Sequence, residues 1–231
     1  MAEPPTRASS ATFPSVAIVI VGFGIAMGYL EGAVVVYLRA AIEAGPVTPT
    51  IDPEAFERFA PIEIAREVAT LIMIASVGWL AGASRLERLA WAAVVFGAWD
   101  IVYYVALWLA IGWPASLIDW DVLFLIPAAW VGPVWAPVAV SAALIGFGLV
   151  AARRLRAGRP IDVRPGRAAL ALAGGVLVIG SFLVDSARVV AGEDGPWTGW
   201  PLFWAGMAMA GAASVAALRS TAGAAGSGST T

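Results

Sequence analysis

The chain contains no cysteine and no histidine, and it has no lysine, asparagine or glutamine either, so all 14 basic residues are arginine. Without cysteine there is no disulfide, no thiolate nucleophile and no iron–sulfur cluster. Without histidine as well, Cys/His zinc sites, axial haem imidazole and His-containing triads are excluded. Without lysine no Schiff base can form, to pyridoxal phosphate or to a carbonyl substrate. Charge is scarce too, at 13% of 231 residues where a soluble domain carries about a quarter. Asp, Glu, Arg, Tyr, Trp, Ser and Thr remain for chemistry. Any bound metal would therefore be a hard, oxygen-ligated cation such as Mg, Ca or Mn.

Hydrophobic residues make up 60% of the chain, and mean hydropathy is +0.84. Crossing about 30 Å of hydrocarbon takes roughly 20 apolar residues, and six runs qualify: 15–38, 63–81, 89–112, 134–152, 168–190 and 200–218. The first is longer than a signal-peptide core, follows a single arginine (Arg7) and contains Glu31, so it is read as a retained helix. DVLFLIPAAW, 121–130, is too short to span and is stopped by Pro127 and Pro133, which predicts a short outer half-helix. IDPEAFERFAP predicts another short helix, capped by Asp52 with Pro53 at its first position. The expected fold class is all-α: a polytopic membrane helix bundle of six transmembrane helices plus the half-helix. It forms one domain, 15–218, between small polar tails at 1–14 and 219–231 that are expected to be disordered.

Arginine placement orients the bundle. RRLRAGRPIDVRPGR, 153–167, has six Arg against one Asp and is expected to be cytoplasmic, with anionic lipid headgroups as a secondary use. Counting helices from that loop puts both termini and the Arg85/Arg88 turn inside. The acidic 39–62 loop, Asp119, Asp121 and AGEDGPWTGW then lie outside. Most of the 11 Trp gather towards the outer boundary, as an interfacial belt would. Six of the 14 basic residues fall in one short loop, so nucleic acid is not expected as a partner.

Direction then assigns a depth to each charge. Glu31 lies about 10 Å below the outer end of the first helix. EIAREVAT puts Glu63, Arg66, Glu67 and Thr70 on one face of the outer turns of the second helix. WDIVYY puts Asp100 near mid-membrane, one turn below Tyr103 and Tyr104. SFLVDSARVV puts Ser181, Asp185 and Arg188 on one stripe of the fifth helix. Charges in hydrocarbon are costly unless they pair or line a wet cavity, and these share the outer half. Gly24, Gly28 and Gly32 form a close-approach ladder that turns Glu31 into the bundle; Gly206, Ala210 and Ser214 form a similar stripe on the last helix.

YLEGAVVVYLR, REVATL, FGAWDIVYY, GWPASL and WDVLFLIPAAWVGPVWAP together resemble a recurrent pattern in uncharacterised multi-pass bacterial membrane proteins. The resemblance covers about residues 22 to 140. It implies a shared fold and adds no activity. The expected location is a bacterial inner membrane, crossed several times.

Three functions of different classes fit the residues. The first is cation- or proton-coupled binding or transport, with Glu31, Glu67, Asp100 and Asp185 as oxygen ligands or proton sites and Arg66 and Arg188 compensating charge. The second is a cofactor-free or divalent-metal-dependent membrane enzyme acting on a lipid or isoprenoid, with Asp100 as general acid oriented by Tyr103 or Tyr104. The third is an accessory subunit that meets other chains, or itself, through the glycine-rich faces. The competing structural explanation is a set of register-fixing ion pairs, Glu67 with Arg188 or Asp185 with Arg66.

Overall fold

The computed structural model describes residues 12–41, 53–193 and 195–219. The chain is mostly helical, and among the described residues six helices are long and apolar enough to cross a membrane, which supports a multi-pass membrane protein. The elements are α1 (Phe13–Ala41), α2 (Pro53–Ala81), α3 (Arg85–Ile111), β1 (Trp120–Phe124), β2 (Trp130–Pro133), α4 (Trp135–Arg156), α5 (Pro165–Leu183), α6 (Ser186–Val190) and α7 (Trp200–Arg219). Residues 1–11 and 220–231, which make up most of the expected tails, and the Asp52 cap lie outside the described residues.

Two expectations about the outer segments are corrected. The helix starting at Pro53 does not stop but continues through Pro61 to Ala81. A proline deletes one backbone bond of a helix, and the apolar run that follows sustains the rest. The predicted half-helix at 121–130 is instead an antiparallel hairpin, pairing Asp121 with Gly132 and Val122 with Val131. Pro127 and Pro133 offer no N–H to a helix, and the Val122 N–H is taken by the Asp121 carboxylate at 2.9 Å. A two-stranded ribbon is marginal alone, so it depends on what covers it. Val131 packs with Val189, and Phe182 stacks on Trp130 at 6.4 Å.

Helix α3 is the hub, packing against α1, α2 and α4, while α5 packs against α7. Its start is capped by Ser84, whose Oγ accepts the Glu87 N–H at 3.2 Å, and it ends at Gly112 with φ +69°. The α1 glycine ladder is used within the chain: a Cβ on Gly28 would sit 2.5 Å from the Trp99 carbonyl oxygen, and one on Gly32 2.9 Å from Ala106 Cβ. Gly206 likewise lies against Gly174 and Val178 of α5. The glycine-rich faces of α1 and α7 therefore build this bundle.

The fifth span breaks between α5 and α6 at Asp185. The two groups, α1–α4 and α5–α7, are joined through the hairpin, whose β2 touches α4, α5 and α6, and through the start of α4, where Ala136 packs with Val178 and Phe203 and Trp135 stacks on Trp204 at 5.6 Å. The bundle is polar along its axis. At the end holding the α2–α3 turn, the close of α4 and the close of α7 lie nine arginines, with Glu87 and Asp162 as the acids among the described residues. The acids of the first helix, of EIAREVAT and of the hairpin gather at the other end.

Candidate functional site

Glu31 is answered by an arginine from the neighbouring helix. The Arg66 guanidinium pairs with Glu31 through Nη1 and with Glu63 through Nη2 at 2.5 Å and Nε at 3.0 Å. One fork thus holds two carboxylates and ties α1 to α2, two helices that otherwise touch little. A delocalised, permanently charged guanidinium suits this place; an ammonium could not span both acids with fixed geometry.

Glu67, buried one residue further on, does something else. Both its oxygens accept the Leu125 N–H of the hairpin, at 2.9 and 3.0 Å. An open strand edge among membrane helices leaves backbone donors unpaired at a cost of several kcal/mol each, and Glu67 removes one such cost.

The other side of the hairpin reaches α3. Tyr104 donates its hydroxyl hydrogen to Asp121 Oδ2 at 3.0 Å, and its ring meets that of Tyr103 at 5.0 Å between centroids. Asp100 is buried and accepts the Ser141 hydroxyl of α4 at 2.8 Å. Gly97, one turn before Asp100, allows this approach: a Cβ there would lie 2.5 Å from the Ser141 carbonyl oxygen. Asp100 and Asp121 interact electrostatically with each other, and Tyr103 with Arg39, Arg66 and both acids. The expected bond between a Tyr103 or Tyr104 hydroxyl and Asp100 is replaced by Ser141 on Asp100 and Asp121 on Tyr104.

Burial pushes the Asp121 carboxyl up from 3.8 to about 6, against the Tyr104 bond, the Arg39 charge and the Val122 N–H, which favour its ionised form. A carboxyl whose folded value is raised stabilises the fold while protonated. That contribution is complete below the unfolded value near 4 and is lost as pH rises to about 6. The protein should therefore lose up to about 3 kcal/mol of stability across that window, and Asp121→Asn should flatten this loss. Melting temperatures at pH 4, 5, 6 and 7 for both proteins measure it, and parallel curves would contradict the assignment.

Asp185 and Arg188 lie across the hairpin from these residues. Asp185 accepts from the Thr198 N–H at 2.7 Å, from Thr198 Oγ1 at 2.9 Å and from Arg188 at 3.1 Å. Arg188 also donates to the Glu193 and Pro196 carbonyls and lies 5.8 Å from the Trp120 ring centre. This group closes the α6–α7 connection. Neither Glu67–Arg188 nor Asp185–Arg66 forms; each arginine takes acids on its own or an adjacent helix. Nor do Glu31, Glu67, Asp100 and Asp185 gather as one ligand set: among the described residues no three acids come together in a way that could hold a metal ion.

Three participants carry no functional signal in the sequence or only a local one. Asp121 lies in the outer segment at 121–130, and Ser141 within the apolar run 134–152. Glu87 falls in the Arg85/Arg88 turn by sequence, yet it is in the first turn of α3 and is buried at the arginine-rich end. It accepts from the Ala83 N–H at 3.0 Å, Trp91 Nε1 at 3.2 Å and Arg156 Nε at 2.6 Å. The signal for Glu87 was present as Ser84-x-x-Glu87, the spacing of a capping box. Comparisons with protein-family models, with curated proteins and with solved structures gave no match.

Proposed function

We propose that this chain is a proton-coupled binding or transport protein of a bacterial inner membrane, with Asp100 and Asp121 as the groups that exchange protons. The observation that carries the reading is a difference in partners. Glu31, Glu63, Glu87 and Asp185 are each held by an arginine, and Glu67 by a backbone N–H. Asp100 accepts the Ser141 hydroxyl, and Asp121 accepts the Tyr104 hydroxyl beside the N–H of its neighbour Val122; neither pairs with an arginine among the described residues. A carboxylate locked to a guanidinium keeps its charge, whereas one bonded by a hydroxyl can accept a proton while the hydroxyl turns to donate or accept. Two such acids, electrically coupled beside two tyrosines whose rings meet edge to face, form a place where proton occupancy can change without breaking an ion pair. The positive-inside rule places the arginine-rich end in the cytoplasm, which puts both termini inside and this group in the outer half.

The test needs no substrate. A pH step applied to proteoliposomes on a solid-supported membrane should give a transient charge displacement, and Asp100→Asn combined with Asp121→Asn should reduce it at least tenfold. An undiminished transient in the folded double variant would overturn the proposal.

A further inference from the structure

We propose that the arginine-rich end of the bundle is a seat for anionic phospholipid headgroups, formed by the last turn of α4, the 157–164 connection and the last turn of α7. These three pieces are joined by the backbone. The Asp162 N–H donates to the Ala217 carbonyl at 3.3 Å, strapping the connection onto α7, and the Arg159 N–H donates to the Arg154 carbonyl at 2.9 Å, folding it back onto α4. Arginines from all three pieces are therefore presented side by side.

The charge there is left over after internal pairing. Glu87 is taken by Arg156, and Asp162 by Arg164 at 3.0 Å and Arg167 at 2.9 Å. Arg85, Arg153, Arg159 and Arg219 are exposed and pair with no carboxylate among the described residues. A guanidinium cannot discharge itself, so these side chains call for external anions. Its planar fork matches two oxygens of a phosphate.

Adjacent surface selects a phosphate that carries acyl chains over a free one. Leu80 is 84% exposed, Leu89 67% and Leu172 71%, all within a few turns of the same end. Arg88 stacks 3.7 Å over the ring of Trp79, which is itself exposed. An amphipathic indole under a guanidinium is an arrangement for the headgroup level, with aliphatic side chains continuing towards the acyl chains. A zwitterionic headgroup supplies no net charge to match the arginines, whereas phosphatidylglycerol does.

Native mass spectrometry of the full chain, extracted from vesicles of phosphatidylcholine mixed with phosphatidylglycerol, should show phosphatidylglycerol retained about tenfold over its share. Each surface arginine contributes about fivefold to such binding. The combined variant Arg153→Gln, Arg159→Gln, Arg219→Gln should therefore lose the preference, and the same three changed to lysine should keep part of it. If the triple variant does not fold, Arg159→Gln alone, in the connection outside the helices, should lower retention about fivefold. Excess inorganic phosphate should leave the bound lipid in place. Equal retention of the two lipids, full retention by the glutamine variants, or displacement by inorganic phosphate would each overturn the proposal.

Discussion

Replacing Arg66 with leucine should destabilise the protein by roughly 3–5 kcal/mol, the cost of leaving a buried carboxylate without its counter-charge. Two acids lose their partner at once, since the same guanidinium holds Glu31 on α1 and Glu63 within α2. In water each would be rehydrated; among membrane helices each must take up a proton, draw in water or push the helices apart. The melting transition of the detergent-solubilised protein, followed by tryptophan fluorescence, should drop accordingly. Adding Glu31→Gln to Arg66→Leu should restore part of the loss, because a neutral amide tolerates the absence of the arginine. Arg66→Lys should fall between, as an ammonium meets one carboxylate well and the second poorly. An unchanged transition in Arg66→Leu would mean that Glu31 is answered by something other than this fork.

Gly28→Leu should be comparably damaging for a purely steric reason. The first side-chain carbon would already stand 2.5 Å from the Trp99 carbonyl oxygen and 2.9 Å from Val102 Cβ. The first of these neighbours is backbone, so α1 must move away from α3. Overpacking of this kind costs about 1–3 kcal/mol where neighbours can give, and more where they cannot. The shift would also pull Glu31, one turn along α1, away from Arg66. Gly22→Leu is the control: a Cβ there meets nothing within 4 Å, so its melting temperature should stay close to the original. Equal losses at both positions would show that α1 is sensitive to any leucine.

How much of this was legible in the residues depends on the range of the interaction. The six spans were readable because solvent quality acts on every residue of a run, and a run of about 20 apolar residues has few alternatives in a bilayer. The inward aim of Glu31 was readable because a helix fixes angle from spacing, and Gly24, Gly28 and Gly32 mark the side where another helix comes close. The partner of Glu31 was not readable, since Arg66 and Arg188 are equally good arginines until the helices are placed.

The hairpin was misread for a related reason. The ten residues from 121 to 130 are apolar enough for a short helix, and only the prolines argue against one. Its strands hold because Glu67, far away in sequence, takes the Leu125 N–H, and because Val189 and Phe182 cover β2. No local pattern carries that information. Asp121 and Ser141 were passed over likewise: a serine in an apolar run shows no purpose until Gly97 lets its helix approach Asp100.

Composition and the order of residues are enough to set the solvent and the reagents: a chain for a lipid environment, six spans, an arginine-rich end opposite an acid-rich one, and chemistry limited to carboxyl, guanidinium, hydroxyl and aromatic groups. Which carboxyls are neutralised by arginine, and which meet a hydroxyl from another segment instead, is settled by how the helices and the hairpin pack. Hydrophobicity and helical angle are properties of one segment, whereas an ion pair or a hydrogen bond between helices depends on a few tenths of an ångström that only packing sets.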